Sequence, residues 1–90
     1  MSQTLLDRAW ELDPRVSVRP EPFGALLYHF GTRRLSFLKD RLLLDVVQRL
    51  PGAPSARAAC VDAGLTAEQL PAYERALSTL AATDMIQERT

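Results

Sequence analysis

Residues 25 to 38, Ala-Leu-Leu-Tyr-His-Phe-Gly-Thr-Arg-Arg-Leu-Ser-Phe-Leu, are the stretch that most narrows what this chain can become. Two runs of alternating character meet at a Gly-Thr pair, which is the pattern of a β-hairpin. Leu26, Tyr28 and Phe30 fall on one face by the period of two, and Leu35 and Phe37 continue that face on the second strand. Arg34, Ser36 and His29 are then expected to point away from the core. A two-residue Gly31-Thr32 loop suits a type II′ turn, whose first central position needs a positive φ.

The rest of the chain supplies a third strand and several helices. Val16 and Val18 alternate with Ser17 and Arg19 and stop at the Pro20-Glu21-Pro22 bend, so residues 16–19, 25–30 and 33–38 read as a three-stranded antiparallel meander. The period then changes to about 3.6 residues. Leu43, Val46, Val47 and Leu50 share a helix face that Asp40 or Ser36 can cap and Pro51-Gly52 ends. Ser55 caps a short second helix, 56–63, closed by a left-handed Gly64. Thr66 and Gln69 have capping-box spacing, and a third helix starts there or at Pro71 with Leu70, Tyr73, Ala76, Leu77 and Leu80 as its apolar stripe. Thr83-Asp84 then turns Met85 and Ile86 back as a closing apolar pair, since Asp tolerates the left-handed region. Thr4 to Leu12 is either a short helix or an ordered arm. The fold class is α+β, three strands followed by three helices, with 1–12 as an N-terminal arm and 13–90 as the domain.

Ninety residues suffice for one core, because a chain of this length buries only about 60 to 65% of its unfolded surface. At 47% hydrophobic and 24% charged the composition is that of a globular protein rather than a disordered one. The N-terminal residues lack a basic start followed by an apolar run, and no segment approaches the roughly 20 apolar residues of a membrane span. A cytoplasmic protein with no membrane partner is expected.

The residues that carry chemistry are sparse. A nucleophile needs a base within hydrogen-bond reach, and the chain has one histidine, His29, and one cysteine, Cys60, in an apolar setting. No carboxylate cluster has metal-ligand spacing, and the glycines stand singly at separate turns rather than in a phosphate-binding loop. The expectation is a protein that is not an enzyme and holds no cofactor or metal. Charge is unevenly spread: residues 33 to 50 hold five basic and two acidic side chains, net +3, while 51 to 90 are net −2. An acidic partner would therefore find one favourable region.

Leu35-Ser36 entering a helical run, Leu50-Pro51-Gly52 ending the first helix, and Leu77-Ser78-Thr79-Leu80 ahead of Met85-Ile86 give the chain a pattern that resembles the PqqD-like peptide-recognition domains. These are winged helix-turn-helix-like modules that bind the leader segments of ribosomally made peptides. Val18-Arg19-Pro20-Glu21-Pro22-Phe23-Gly24-Ala25, with Arg34-Leu35-Ser36-Phe37-Leu38-Lys39-Asp40, is similar more closely to the peptide-binding chaperones of mycofactocin biosynthesis. The likeness covers most of residues 12 to 88.

What this resemblance implies is a non-catalytic partner that binds the mycofactocin precursor peptide and delivers it to a radical S-adenosylmethionine (radical SAM) maturase, which carries the reactive chemistry itself. The leader would add as a strand to the sheet edge, in the groove between the third strand and the last helix. On this sequence the peptide-binding residues are then Arg33, Arg34, Leu35, Ser36, Phe37 and Leu38 with Leu70, Tyr73, Ala76 and Leu77. Elementary physics agrees, since the last strand of a meander leaves one row of amides and carbonyls unpaired. Leu35 and Phe37 are the ambiguous members, because apolar strand residues are commonly core. The alternative is a winged helix-turn-helix nucleic-acid binder, built on the second and third helices. Its recognition helix would carry Glu68 and Glu74 toward phosphates with only Arg75 as a central cation, the wrong charge for that task.

Overall fold

Two antiparallel sheets frame the helices in the computed structural model, which describes residues 4–89. Strands β2 (Val16–Glu21), β3 (Gly24–His29) and β4 (Leu35–Leu38) form the meander in the order β2-β3-β4. Helices α1 (Arg41–Arg49), α2 (Ala56–Asp62) and α3 (Leu70–Ala82) follow. The chain ends pair with each other: β1 (Trp10–Leu12) runs antiparallel to β5 (Ile86–Glu88). This is the expected α+β meander and three helices, with a terminal strand pair added.

Residues 4–12, expected as a short helix or an ordered arm, form an ordered segment without an α-helix. Leu5–Asp7 make a single 3-10 turn, β1 follows, and Leu6 and Trp10 enter the core at 4% and 9% exposure. The Trp10 indole N–H donates to Leu5 O at 2.9 Å, so its one polar atom is satisfied where the ring is buried. Residues 1–3, which the expected arm includes, and residue 90 lie outside the described residues.

Helix starts follow their caps. Asp40 accepts from the Leu43 N–H at 2.7 Å and Ser55 from the Ala58 N–H at 3.1 Å, each satisfying a first-turn donor that lacks an intrahelical partner. At α3 only half of the capping box forms: Gln69 Oε1 reaches back to the Thr66 N–H at 2.9 Å, while the Gln69 N–H bonds to the Thr66 backbone carbonyl at 3.0 Å. Residues 66–69 thus make a separate turn, and α3 begins at Leu70 with Pro71 in its first turn, where the missing donor costs nothing. Gly64 at φ +98° and Asp84 at φ +63° take the left-handed positions expected of them.

The hairpin departs from expectation in two ways. Its loop is longer: Phe30 to Arg34 separate the strands, the Arg33 N–H donates to His29 O at 2.7 Å, and the positive φ (63°) falls on Arg33 rather than on Gly31. Its faces are also exchanged. Ala25, Leu27 and His29 are fully buried, whereas Leu35 and Phe37 stand 56% and 66% exposed and Phe30 64%. Both alternating sets of β3 are largely apolar, so periodicity alone could not choose between them. The choice is made by α1, which packs on the Ala25/Leu27 side. The buried His29 is accommodated because Nδ1 accepts from the Gly31 and Thr32 N–H groups at 2.9 and 3.0 Å. Its Nε2 lies 3.5 Å from Asp13 Oδ2, close enough for electrostatic attraction but not aligned as a hydrogen bond.

Candidate functional site

The two edges of the meander are not equivalent. In an antiparallel ladder, residues alternate between those that exchange hydrogen bonds with the neighbouring strand and those whose backbone groups face away. The His29 N–H donates to Arg34 O at 3.0 Å, and the register pairs Leu27 with Ser36 and Ala25 with Leu38. Arg34, Ser36 and Leu38 therefore bond inward to β3, and the N–H and C=O groups of Leu35 and Phe37 face the free side. On the opposite edge, the same alternation turns Val16, Val18 and Pro20 outward. There the Val16 N–H is occupied by Asp13 O at 2.9 Å and Pro20 has no N–H at all. The β2 edge is blunted and the β4 edge is open.

Beside the open edge lies a groove of about 600 Å³ whose other wall is α3. Its deeper surface is made by Leu38, Leu43, Ala76 and Leu80, and Arg75 and Thr79 stand on the helix side. A smaller cavity of about 130 Å³ adjoins it where β4 passes into α1, with Tyr73 on its wall. The spacing of α3 from β4 is set at this junction. The Tyr73 hydroxyl donates to the Asp40 carboxylate, 3.1 and 3.2 Å from its two oxygens, while the same carboxylate caps α1. Burial, and then the bond to Asp40, push the Tyr73 hydroxyl above its ordinary pKa, so at neutral pH it stays a donor.

Of the residues expected to bind a peptide, the structure gathers Leu35, Ser36, Phe37, Leu38 and Ala76 on the groove and sets Tyr73 in the adjoining cavity. Arg33 and Arg34 are exposed in the loop just before β4, outside the lining. Leu77 is fully buried and Leu70 packs partly buried against the core, so neither reaches the groove. The helical repeat places Leu77 and Ala76 adjacent, yet only the side facing the β4 gap is free. Sequence reasoning missed Lys39, Leu43, Ala72, Arg75, Thr79 and Leu80. Leu43 and Leu80 carried a signal, since both lie on the apolar faces of their helices; Arg75 looked like an ordinary solvated cation.

The arrangement is suited to holding rather than reacting. Burial raises the Cys60 thiol above its ordinary pKa and the side chain is fully enclosed, so it is a protonated core residue. Among the described residues no group of three or more His, Cys, Asp or Glu could hold a metal ion, and no helix is long and apolar enough to cross a membrane.

Comparison with known proteins bears on what is held. The chain is 57% identical over 83 residues to the peptide chaperone MftB of Mycobacterium tuberculosis, covering 92% of this chain and 76% of that protein. It is 55% identical to the peptide chaperone MftB of Mycobacterium ulcerans (89% and 73% covered) and 51% identical to that of Mycolicibacterium smegmatis (89% and 78% covered). No solved structure matches it. A family model described as the peptide chaperone MftB family matches residues 9–87, from the residue before β1 to the middle of β5, and so takes in the open edge and its groove. The family is one of non-catalytic peptide chaperones. The chain belongs to the peptide chaperone MftB family.

Proposed function

We propose that the chain binds the mycofactocin precursor peptide by strand addition to β4, beside α3, and delivers it to a radical SAM maturase in the cytoplasm. The observation that carries this reading is the open β4 edge, with the amides and carbonyls of Leu35 and Phe37 facing a groove. A strand laid there makes four backbone hydrogen bonds to these two residues, and its alternate side chains drop onto Leu38, Leu43, Ala76 and Leu80. Four bonds at ~0.5 to 1.5 kcal/mol and two apolar side chains at ~1.5 to 3 kcal/mol give a gross gain of roughly 5 to 12 kcal/mol. Association and ordering consume about 4 kcal/mol or more, which leaves micromolar affinity at the tight end. A reversible hold of this strength suits a protein that must pass its cargo on.

The alternation along β4 supplies the test. Proline at Phe37 deletes an outward amide and leaves the β3–β4 ladder intact, whereas proline at Ser36 deletes an inward one. Phe37→Pro is expected to weaken precursor binding about two- to tenfold beyond Phe37→Ala while circular dichroism stays native; Ser36→Pro is expected to unfold the sheet. Equal affinity of Phe37→Pro and Phe37→Ala in calorimetry would reject strand addition. In amide-shift mapping with the precursor peptide, the largest changes should fall on residues 35, 37 and 39 and on the groove side of α3. Changes centred on β2 or on the exposed face of α2 would move the site elsewhere.

A further inference from the structure

Five large apolar side chains stand exposed among the described residues, and four of them, Phe23, Phe30, Leu35 and Phe37, share one face of the meander. Strand alternation turns Ala25, Leu27 and His29 of β3 toward the helices and Leu26 and Tyr28 away from them. The register sets Leu26 opposite Phe37 and Tyr28 opposite Leu35, so two cross-strand apolar pairs form the middle of this outer face. Phe23, in the β2–β3 turn, extends it at one end, its ring 6.4 Å from that of Phe37. Phe30, in the hairpin loop, extends it at the other, edge-on to Tyr28 at 5.0 Å. On the far side of β3 the same face is polar: Ser17 lies opposite Tyr28, Arg19 lies opposite Leu26, and Arg19 pairs with Glu21 at 2.9 Å. The apolar cluster is therefore not centred on the sheet but runs up to the open β4 edge. The fifth exposed side chain, Val61, is on α2.

An exposed apolar cluster of this kind marks a contact surface, and the geometry limits what can cover it. A strand added to β4 lies in the plane of the sheet, beside this face and not over it. A second copy stacked face to face would bury little. Three strands about 4.8 Å apart, the longer two of six residues at ~3.3 Å each, make a face on the order of 300 Å². A stable complex buries about 800 Å² per partner. We propose that the maturase docks on this outer face and that bound precursor enlarges it. This rests on the strand-addition reading and adds to it the place where the enzyme engages. A strand paired with β4 sets the side chains opposite Leu35 and Phe37 on the same face, which widens it by about a third, one strand added to three. The enzyme then touches chaperone and cargo together, so it binds the loaded form more tightly than the empty one. By linkage, the enzyme tightens the hold on the precursor by the same factor. A contact of this size suits a brief encounter rather than a permanent complex.

The test measures binding of the full chain to immobilised maturase by surface plasmon resonance, with and without saturating precursor peptide, and precursor binding separately by calorimetry. The wild type should bind the maturase at least about threefold more tightly when loaded. Phe23→Ser/Phe30→Ser alters the two ends of the face and leaves the β4 edge and its groove untouched. This variant should bind precursor within about twofold of the wild type, which also reports an intact fold, yet lose at least about fivefold in maturase affinity. Val61→Ser should match the wild type in both. Should the double variant be unstable, Phe23→Ser and Phe30→Ser singly should each show part of the maturase loss with native circular dichroism. Unchanged maturase affinity in these variants, an equal loss in Val61→Ser, or no gain on loading overturns the proposal. So does a wild-type dimer in sedimentation velocity that the double variant dissolves without losing maturase affinity, since a second copy then covers the face. If maturase affinity is unchanged while Phe37→Pro still binds precursor more weakly than Phe37→Ala, strand addition survives and only the docking face is lost. If Phe37→Pro binds like Phe37→Ala, the strand-addition reading fails, and the enlargement by bound precursor fails with it.

Discussion

His29 shows how a single residue is decided by its surroundings. A strand histidine flanked by Tyr28 and Phe30 gives no local reason to be buried, yet its ring closes the hairpin loop by accepting from two successive amides. His29→Leu keeps the volume and removes the acceptor, so a loss of about 1 to 2 kcal/mol is expected, read as a lowered urea midpoint. Gly31 is tied to the same ring: a Cβ there would meet His29 Cε1 at 2.8 Å and Arg15 Nη1 at 2.9 Å. Asp13, on the other side of the ring, accepts from the Arg15 side chain at 3.1 and 3.0 Å and from its backbone N–H at 2.8 Å. These Arg15 bonds hold the Asp13 carboxyl down at about 2, from an ordinary value of 3.8. A carboxylate with a depressed folded-state pKa contributes stability above its unfolded value, and that contribution is lost as pH falls from about 3.8 through about 2. The unfolding midpoint of the wild type should therefore drop more steeply over that window than that of Asp13→Asn. Parallel curves would show that Asp13 is not the group responsible.

At the scale of elements, the joint between β4 and α1 positions the groove. Asp40 ends the strand, caps the helix and receives Tyr73 from α3, so one carboxylate ties three elements together. Asp40→Ala should cost about 1 kcal/mol for the cap, and it should also loosen α3 and weaken peptide binding; Tyr73→Phe should show the binding effect with little loss of stability. Gly24 lies beneath the same joint, where a Cβ would come within 2.2 Å of Leu38 O and 3.0 Å of the Asp40 backbone. These are backbone atoms that cannot swing aside. Gly24→Ala is accordingly expected to destabilise the fold by about 1 to 3 kcal/mol in thermal melts, while Gly52→Ala, with nothing near its Cβ, serves as the neutral control. The caps at Asp40 and Ser55 and the left-handed Asp84 and Gly64 were legible in the sequence because each depends on residues within four positions. The hairpin loop was not, since the side chain that stabilises its geometry is a buried histidine outside the loop.

Over the whole molecule, the chain ends clasp the helices. The β1–β5 pair buries Trp10 and Ile86, and the Arg89 side chain donates to the carbonyls of Pro51 and Ala53 after α1. Trp10→Ala should remove about 3 to 5 kcal/mol, a large share of the stability of a domain this small, and chemical denaturation would measure it directly. The sequence by itself determined the meander, the three helices and two of their caps, because periodicity, capping and turn chemistry act over a few neighbouring residues. Three outcomes belonged to the tertiary structure alone. Packing of α1 chose which of two apolar faces of β3 is buried, turning Leu35 and Phe37 outward. Pairing of residues 10–12 with 86–88 made an apparent arm into part of the core. The placing of α3 across from β4 brought Arg75 and Lys39 to one groove. Each joins residues far apart in the chain, and only packing of the whole fold settles which surfaces meet.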